Sequence, residues 1–227
     1  MKKIGLLISA LATAFLANAQ STVVSGPSAN SAPQFAVNLS VVETRSIAEE
    51  FLDQAERCER FGDFDGAAVL ISKAANDYYQ NKKFASYGTT LIRLSNLYIL
   101  LANYSEAEQI VLKQVLKNYT RMGSSAGQMA AYQQLGKVYL AANKLPQSLW
   151  FYTQQGILAQ QLKDQNAYIE SWLGIISVKI KKKDYQLAVK DLNKVELLSK
   201  NINTIQYNQL IKRNRALIAE KTVVKKG

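Results

Sequence analysis

Four polar residues recur at one register of the chain: Glu56, Asn96, Lys137 and Ser177, spaced 40, 41 and 40 residues apart. A carboxylate, an amide, an ammonium and a hydroxyl offer a varied set of donors and acceptors to a bound polypeptide. They do not form a reactive set. The sequence has no His, which removes the Ser-His-Asp triad, HExxH zinc sites and imidazole acid–base chemistry near neutral pH. With Cys58 as the single cysteine, thiolate zinc and iron–sulfur sites are excluded too. The "GSSAG" beginning at Gly123 lacks the Lys-Ser/Thr ending of a phosphate loop and follows no strand, so it reads as a turn between helices. The carboxylates Glu49, Glu50, Asp53, Glu56 and Glu59 alternate with Arg57 and Arg60 and read as a solvated helix face. No catalytic residue, metal ligand or cofactor is expected, and the chemistry points to binding.

Regular spacing requires regular elements to hold it. Phe51, Leu91, Tyr132 and Trp172 keep the same 40, 41, 40 spacing. So do Cys58, Tyr98, Tyr139 and Lys179, seven residues further on, which is two turns along one helix face. Phe64, Tyr104, Leu145 and Tyr185 form a third column, and Ala67, Ala107, Ser148 and Ala188 a fourth. The fourth is small because two helices cross there closely. Cys58 falls on a core position. Between the helices lie "GDFDGA", "ANYSEA", "NKLPQS" and "KDYQLA", with Asp63, Asn103 and Asp184 as turn formers and helix N-caps. Only three Pro and eleven Gly interrupt the chain, which favours helices. Self-similarity at a fixed period of this length indicates an all-α solenoid of four helix hairpins, with helix pairs at about 44–79, 84–119, 126–162 and 165–201.

These columns resemble the tetratricopeptide repeat (TPR), whose pattern is W-x2-L-G-x2-Y…A-x3-F. "YQQLGKVY" with Ser148 and Tyr152 follows it closely. "WLGII" with "KDYQLAVKDL" follows it in the second half, although Lys179 stands where the aromatic belongs. "LIRLSNLY" with "NYSEAEQIV" has Ser95 in place of Gly, and "GDFDGAAVLI" matches in its second helix. The closing Pro is missing and the period exceeds the usual repeat, as in the long-repeat variety. The resemblance covers Arg45 to Asn201 and implies a TPR-like right-handed solenoid. It also implies a concave wall made by the first helix of each pair, able to take a peptide or a partner helix.

By register, that wall centres on Glu56, Asn96, Lys137 and Ser177, joined by Ile92, Ile99, Gln133, Leu140, Leu173 and Lys181 as the candidate binding residues. Glu49, Leu52, Glu59, Glu170 and Ile180 lie around them. Apolar anchors with a few hydrogen-bonding groups suit a protein segment. The carboxylate clamp of chaperone-tail-binding TPR proteins is not carried over: Asn96 alone matches, with Ile92, Gln134, Glu170 and Gly174 at the other places.

The ends complete the expected organisation. Residues 1–19 read as a signal peptide: Lys2 and Lys3 precede an apolar run to Leu16, and Ala17-Asn18-Ala19 is a small-x-small cleavage site. No Cys follows for a lipid anchor. A leader at 20–43 is rich in Ser, Ala, Pro and Asn and is expected to be disordered. The four repeats span 44–203. A capping helix at 204–221, started by Thr204, carries an apolar stripe of Tyr207, Leu210, Ile211, Leu217 and Ile218 opposite Lys212, Arg213 and Arg215. A basic tail, 222–227, follows. From Lys163 onward there are 14 Lys or Arg against 6 Asp or Glu, whereas 43–65 has 8 acids against 3 bases. The expected protein is an exported, periplasmic or secreted, non-enzymatic adaptor that binds another protein or peptide segment. Nucleic acid is not expected as a partner, because the basic end lacks interleaved aromatics. Two alternatives use the same features: a regulatory module acting in trans on a membrane signalling protein, and contact with an anionic membrane surface through the basic end.

Overall fold

A computed structural model of the chain describes residues 45–200, 202 and 205–223, and these fall in one compact unit. The expected signal peptide, the leader, Thr204 and most of the basic tail lie outside the described residues. Among the described residues there is no strand.

Helix α1 (Ile47–Arg60) starts from a reciprocal cap. The Ser46 hydroxyl accepts from the Glu49 N–H at 3.4 Å, and the Ser46 N–H donates to the Glu49 carboxylate at 3.0 Å. Helices α2 (Phe64–Gln80) and α3 (Phe84–Leu100) follow. Helix α4 (Tyr104–Ile110) runs through a π-helical segment (Val111–Leu116) into α5 (Lys117–Arg121). Then come α6 (Ser125–Ala141), α7 (Leu145–Gln161), α8 (Gln165–Lys181), α9 (Tyr185–Ser199) and α10 (Ile205–Val223). Successive helices pack against one another, α3 also packs on α6, and α6 on α8.

Each of the seven turns from α1 to α9 is three residues long and built alike. Its middle residue is left-handed: Gly62, Lys82, Ala102, Gly123, Asn143, Lys163 and Lys183. The next residue's N–H donates to a carbonyl five positions back, from Asp63 to Cys58 through to Asp184 to Lys179, at 2.8–2.9 Å. This is the Schellman closure of a helix C-terminus. The turn at Gly123 is shorter than the sequence suggested: Ser124 caps α6 by accepting from the Gly127 N–H at 3.1 Å, so Ser125 to Gly127 are already helical. Asp63 caps α2 through Gly66 N–H, and Asp164 caps α8 through Ala167 N–H. Asn103 and Asp184 stand at N-cap positions without a side-chain cap bond.

The small column Ala67, Ala107, Ser148 and Ala188 is fully buried at the hairpin crossings. Ser148 uses its hydroxyl to donate to the Gly136 carbonyl at 2.7 Å. Cys58 is half-buried against a first core cluster that includes Ala55, Ile71, Leu94, Val111 and Leu135. The one long interval in the 40, 41, 40 spacing has a local cause. Buried Ala67, Ile71, Ala74 and Tyr78 correspond to Ala107, Val111, Val115 and Tyr119, so the offset grows from 40 to 41 within the π-helical segment. A π turn holds one residue more than an α turn.

Helix α10 covers the open end of the last hairpin. Tyr207, Ile211 and Ile218 are buried with Ile169, Ile176, Leu192 and Val195. Arg215 holds α10 to α9 through Asn193 at 2.8 Å and Glu196 at 2.5 Å. Leu210 is half-buried at the edge of this core and Leu217 is exposed, so the stripe read from the sequence divides: three of its residues are buried in the core, one borders it and one does not reach it.

Candidate binding groove

Three helices frame one recess. Gln133 and Lys137 lie one turn apart on α6, Glu170, Leu173 and Ser177 on α8, and Leu210, Arg213 and Leu217 on α10. They line a cavity of about 450 Å³. A second cavity of about 440 Å³ continues it along α8 and α10, sharing Ser177, Asn214 and Leu217 and adding Ile180, Lys181, Lys183 and Lys221.

The Tyr152 ring from α7 reaches this recess between two glycines. A Cβ on Gly136 would lie 2.6 Å from its Cε1, and one on Gly174 2.3 Å from its Cδ1. Any side chain at either position would occupy the ring's space, so the pair of glycines is what lets Tyr152 pass between α6 and α8. Tyr152 is 4% exposed and lines the cavity. Its hydroxyl has no hydrogen-bond partner among the described residues, and burial pushes the phenol well above its ordinary range.

Lys137 and Glu170 face the same recess without forming an ion pair. Lys137 opens to the groove, yet the surrounding protein removes enough water to hold its ammonium below the usual range, against the pull of Glu170. Burial pushes Glu170 up, offset by Lys137 and by the Gln133 amide, which donates to its carboxylate at 3.1 Å. Two opposite, partly desolvated charges and an unpaired phenol therefore border one space.

The residues expected from the sequence divide by place. Gln133, Lys137, Leu173 and Ser177 line the first cavity, and Ser177 and Lys181 the second. Lys181 also donates to the Leu140 carbonyl at the end of α6 at 2.7 Å, which ties two repeats together. Ser177 bonds back to the Leu173 carbonyl of its own helix at 2.9 Å. Asn96 is exposed and accepts from the buried Gln134 amide at 2.8 Å. Ile92 packs against the first core cluster, Ile99 and Leu140 are half-buried, and Glu56 pairs with Arg60 on its own helix at 3.4 Å. Glu56, Ile92, Asn96, Ile99 and Leu140 do not line these cavities.

Tyr152, Arg213 and Leu217 were not expected at the groove. The signal for Leu217 was present, since it stands 40 residues after Ser177 and continues the Glu56, Asn96, Lys137, Ser177 column. Arg213 likewise follows Leu173 by 40. Helix α10 thus continues the register of the first helices of the hairpins.

No protein-family model and no curated protein matches the sequence. Solved structures match in fold. BtubC from P. vanneervenii is 17% identical with a TM-score of 0.58, over 69% of this chain and 64% of that one. The apo form of RapI is 12% identical with a TM-score of 0.59, over 81% and 73%. The TPR-like repeats of a Podosopora anserina protein described as a kinesin light chain are 13% identical with a TM-score of 0.56, over 79% and 99%. The chain thus spans 64% of the length of BtubC. With helical hairpins at this period, a buried small column and these neighbours, the chain has the fold of a TPR-like repeat protein.

Proposed function

We propose that the chain is a non-catalytic interaction scaffold that holds a segment of a partner protein against the helices α6, α8 and α10. One observation carries the reading: polar capacity is left open inside an apolar recess. The Tyr152 hydroxyl is unpartnered, Lys137 and Glu170 do not pair, and Leu173, Leu210 and Leu217 stand beside them. A polypeptide supplies both what the polar groups lack and what the leucines exclude from water. Among the described residues, no group of His, Cys, Asp and Glu could hold a metal ion, and no helix is long and apolar enough to cross a membrane. The reading extends to the cell envelope on the strength of the signal-peptide pattern in residues 1–19 alone.

The test compares proteins recovered from an envelope fraction by the tagged wild type and by the variant Lys137→Glu, whose side chain lines the recess. The expected result is one or more proteins lost from the variant while its circular dichroism stays helical. Identical recovery by both would count against the recess between α6, α8 and α10 as the binding site.

A further inference from the structure

The two cavities adjoin as a trough along α8 and α10, and its charge is lopsided. They share Ser177, Asn214 and Leu217 as lining. Lys137 and Arg213 border the first part, and Lys181, Lys183 and Lys221 the second. Glu170 is the one carboxylate among all these lining residues, and it is already engaged by Gln133. Leu173, Ile180, Leu210 and Leu217 supply an apolar wall. At the inner end the unpartnered Tyr152 hydroxyl, on a side chain 4% exposed, offers a donor to an incoming acceptor. Five cations against one carboxylate around an apolar wall select a ligand that brings its own carboxylates and its own apolar groups. The trough is recessed between helices, which suits a single chain segment and not the flat face of a bilayer.

We propose that the trough between α8 and α10 is the seat of an acidic, apolar-anchored segment of a partner protein, with Asp or Glu side chains meeting Arg213, Lys181 and Lys221 and apolar side chains lying against Leu173 and Leu217. The proposal rests on the scaffold reading and narrows it to one end of the groove and one ligand chemistry. Because the attraction is between charges near the surface, it weakens with salt.

Fluorescence anisotropy with the full chain tests it, using a fluorescein-labelled peptide of about four helical turns with Leu at helical spacing and Glu elsewhere. The same peptide with Lys for Glu, and phosphatidylcholine vesicles with about a third phosphatidylglycerol, serve as comparison ligands. The acidic peptide is expected to bind and the basic one not. Arg213→Glu and Lys221→Glu, at exposed positions that leave the core intact, are each expected to weaken binding by about tenfold, and together by about a hundredfold. Raising salt is expected to weaken it further. Equal binding of both peptides would overturn the proposal, as would an acidic peptide whose affinity neither variant changes, or no binding of the acidic peptide. Vesicle flotation abolished by the same variants would overturn it in favour of lipid. If the partner lost by Lys137→Glu is still held by Arg213→Glu, the acidic-segment proposal fails while the scaffold reading stands. If both variants recover every partner, the scaffold reading itself fails.

Discussion

Replacing Gly174 by Ala should destabilise the array, through a ring carried by the preceding helix. The new Cβ would sit 2.3, 2.4 and 2.6 Å from Cδ1, Cε1 and Cγ of Tyr152, where ordinary carbon contacts are about 3.5–4.0 Å. Relief needs a shift of about 1.2 Å. The ring has nowhere to retreat, because a Cβ at Gly136 would meet its Cε1 at 2.6 Å, so the ring already lies against that backbone. Overpacking of this kind costs about 1–3 kcal/mol and occasionally more, and the upper part of that range applies to a confined ring. Helix propensity opposes it by about 1 kcal/mol in favour of Ala. The net expectation is a loss of about 2 kcal/mol, or about 4–8 °C in melting temperature for a domain of this size. The assay is urea unfolding followed by circular dichroism, for wild type, Gly174→Ala, Tyr152→Ala and the double variant. Removing the ring vacates the space, so Gly174→Ala should become neutral or stabilising in the Tyr152→Ala background, with a coupling of about 2 kcal/mol. An equal loss in both backgrounds would refute the argument that Gly174 exists to admit the ring.

Three further outcomes follow from the same physics. Ala102 holds φ 58 at a turn where left-handed backbone costs a non-glycine residue about 1 kcal/mol, so Ala102→Gly should raise the urea midpoint, not lower it. Lys179 and Asp191 form an ion pair whose side chains are 24% and 10% exposed, so Lys179→Met should cost about 3 kcal/mol in the same assay by leaving the carboxylate unpaired. The joint change Lys179→Tyr/Asp191→Phe should recover most of that loss. Burial, with the Tyr139 hydroxyl donating to Glu108 at 2.9 Å, raises its phenol from 10.0 to about 12. A phenol raised on folding contributes stability that is present below pH 10 and lost as pH climbs toward about 12, so Tyr139→Phe should flatten the alkaline side of a stability–pH curve over that window.

Most of the architecture was legible in the sequence because side-chain volume is legible. Ala67, Ala107, Ser148 and Ala188 are small where helices cross, and one residue in each hairpin had to be. Lys179, a departure from the aromatic column, makes sense only with its neighbour. Tyr139 stacks on Phe151, twelve residues on, at 5.3 Å, and in the last hairpin Lys179 meets Asp191 at the same separation. One contact is apolar in one repeat and ionic in another, and a column read alone shows only half of it. The turns were harder. Gly signals a left-handed residue, but only Gly62 and Gly123 carry it, and Lys82, Ala102, Asn143, Lys163 and Lys183 adopt the same backbone without the marker. The register placed Gln133, Lys137, Leu173 and Ser177 on one wall, and in the structure they line one cavity with residues of α10. There Leu210 and Leu217 looked like core because apolar spacing alone does not say how far a stripe is covered. Tyr152, read from the sequence only as part of the repeat pattern, is buried and borders the cavity.

The swollen turn at Val111–Leu116 bears on how such a chain tolerates edits to its length. An added residue inside a helix would rotate everything beyond it by about 100° and throw every later column off its face. Here the bulge takes up the surplus within a single turn, and Lys137, Ser177 and Leu217 still line the same trough as if the count had never changed. Its second helices can therefore absorb a one-residue gain as a local swelling, while the first helices, which carry the binding side chains, keep their phase.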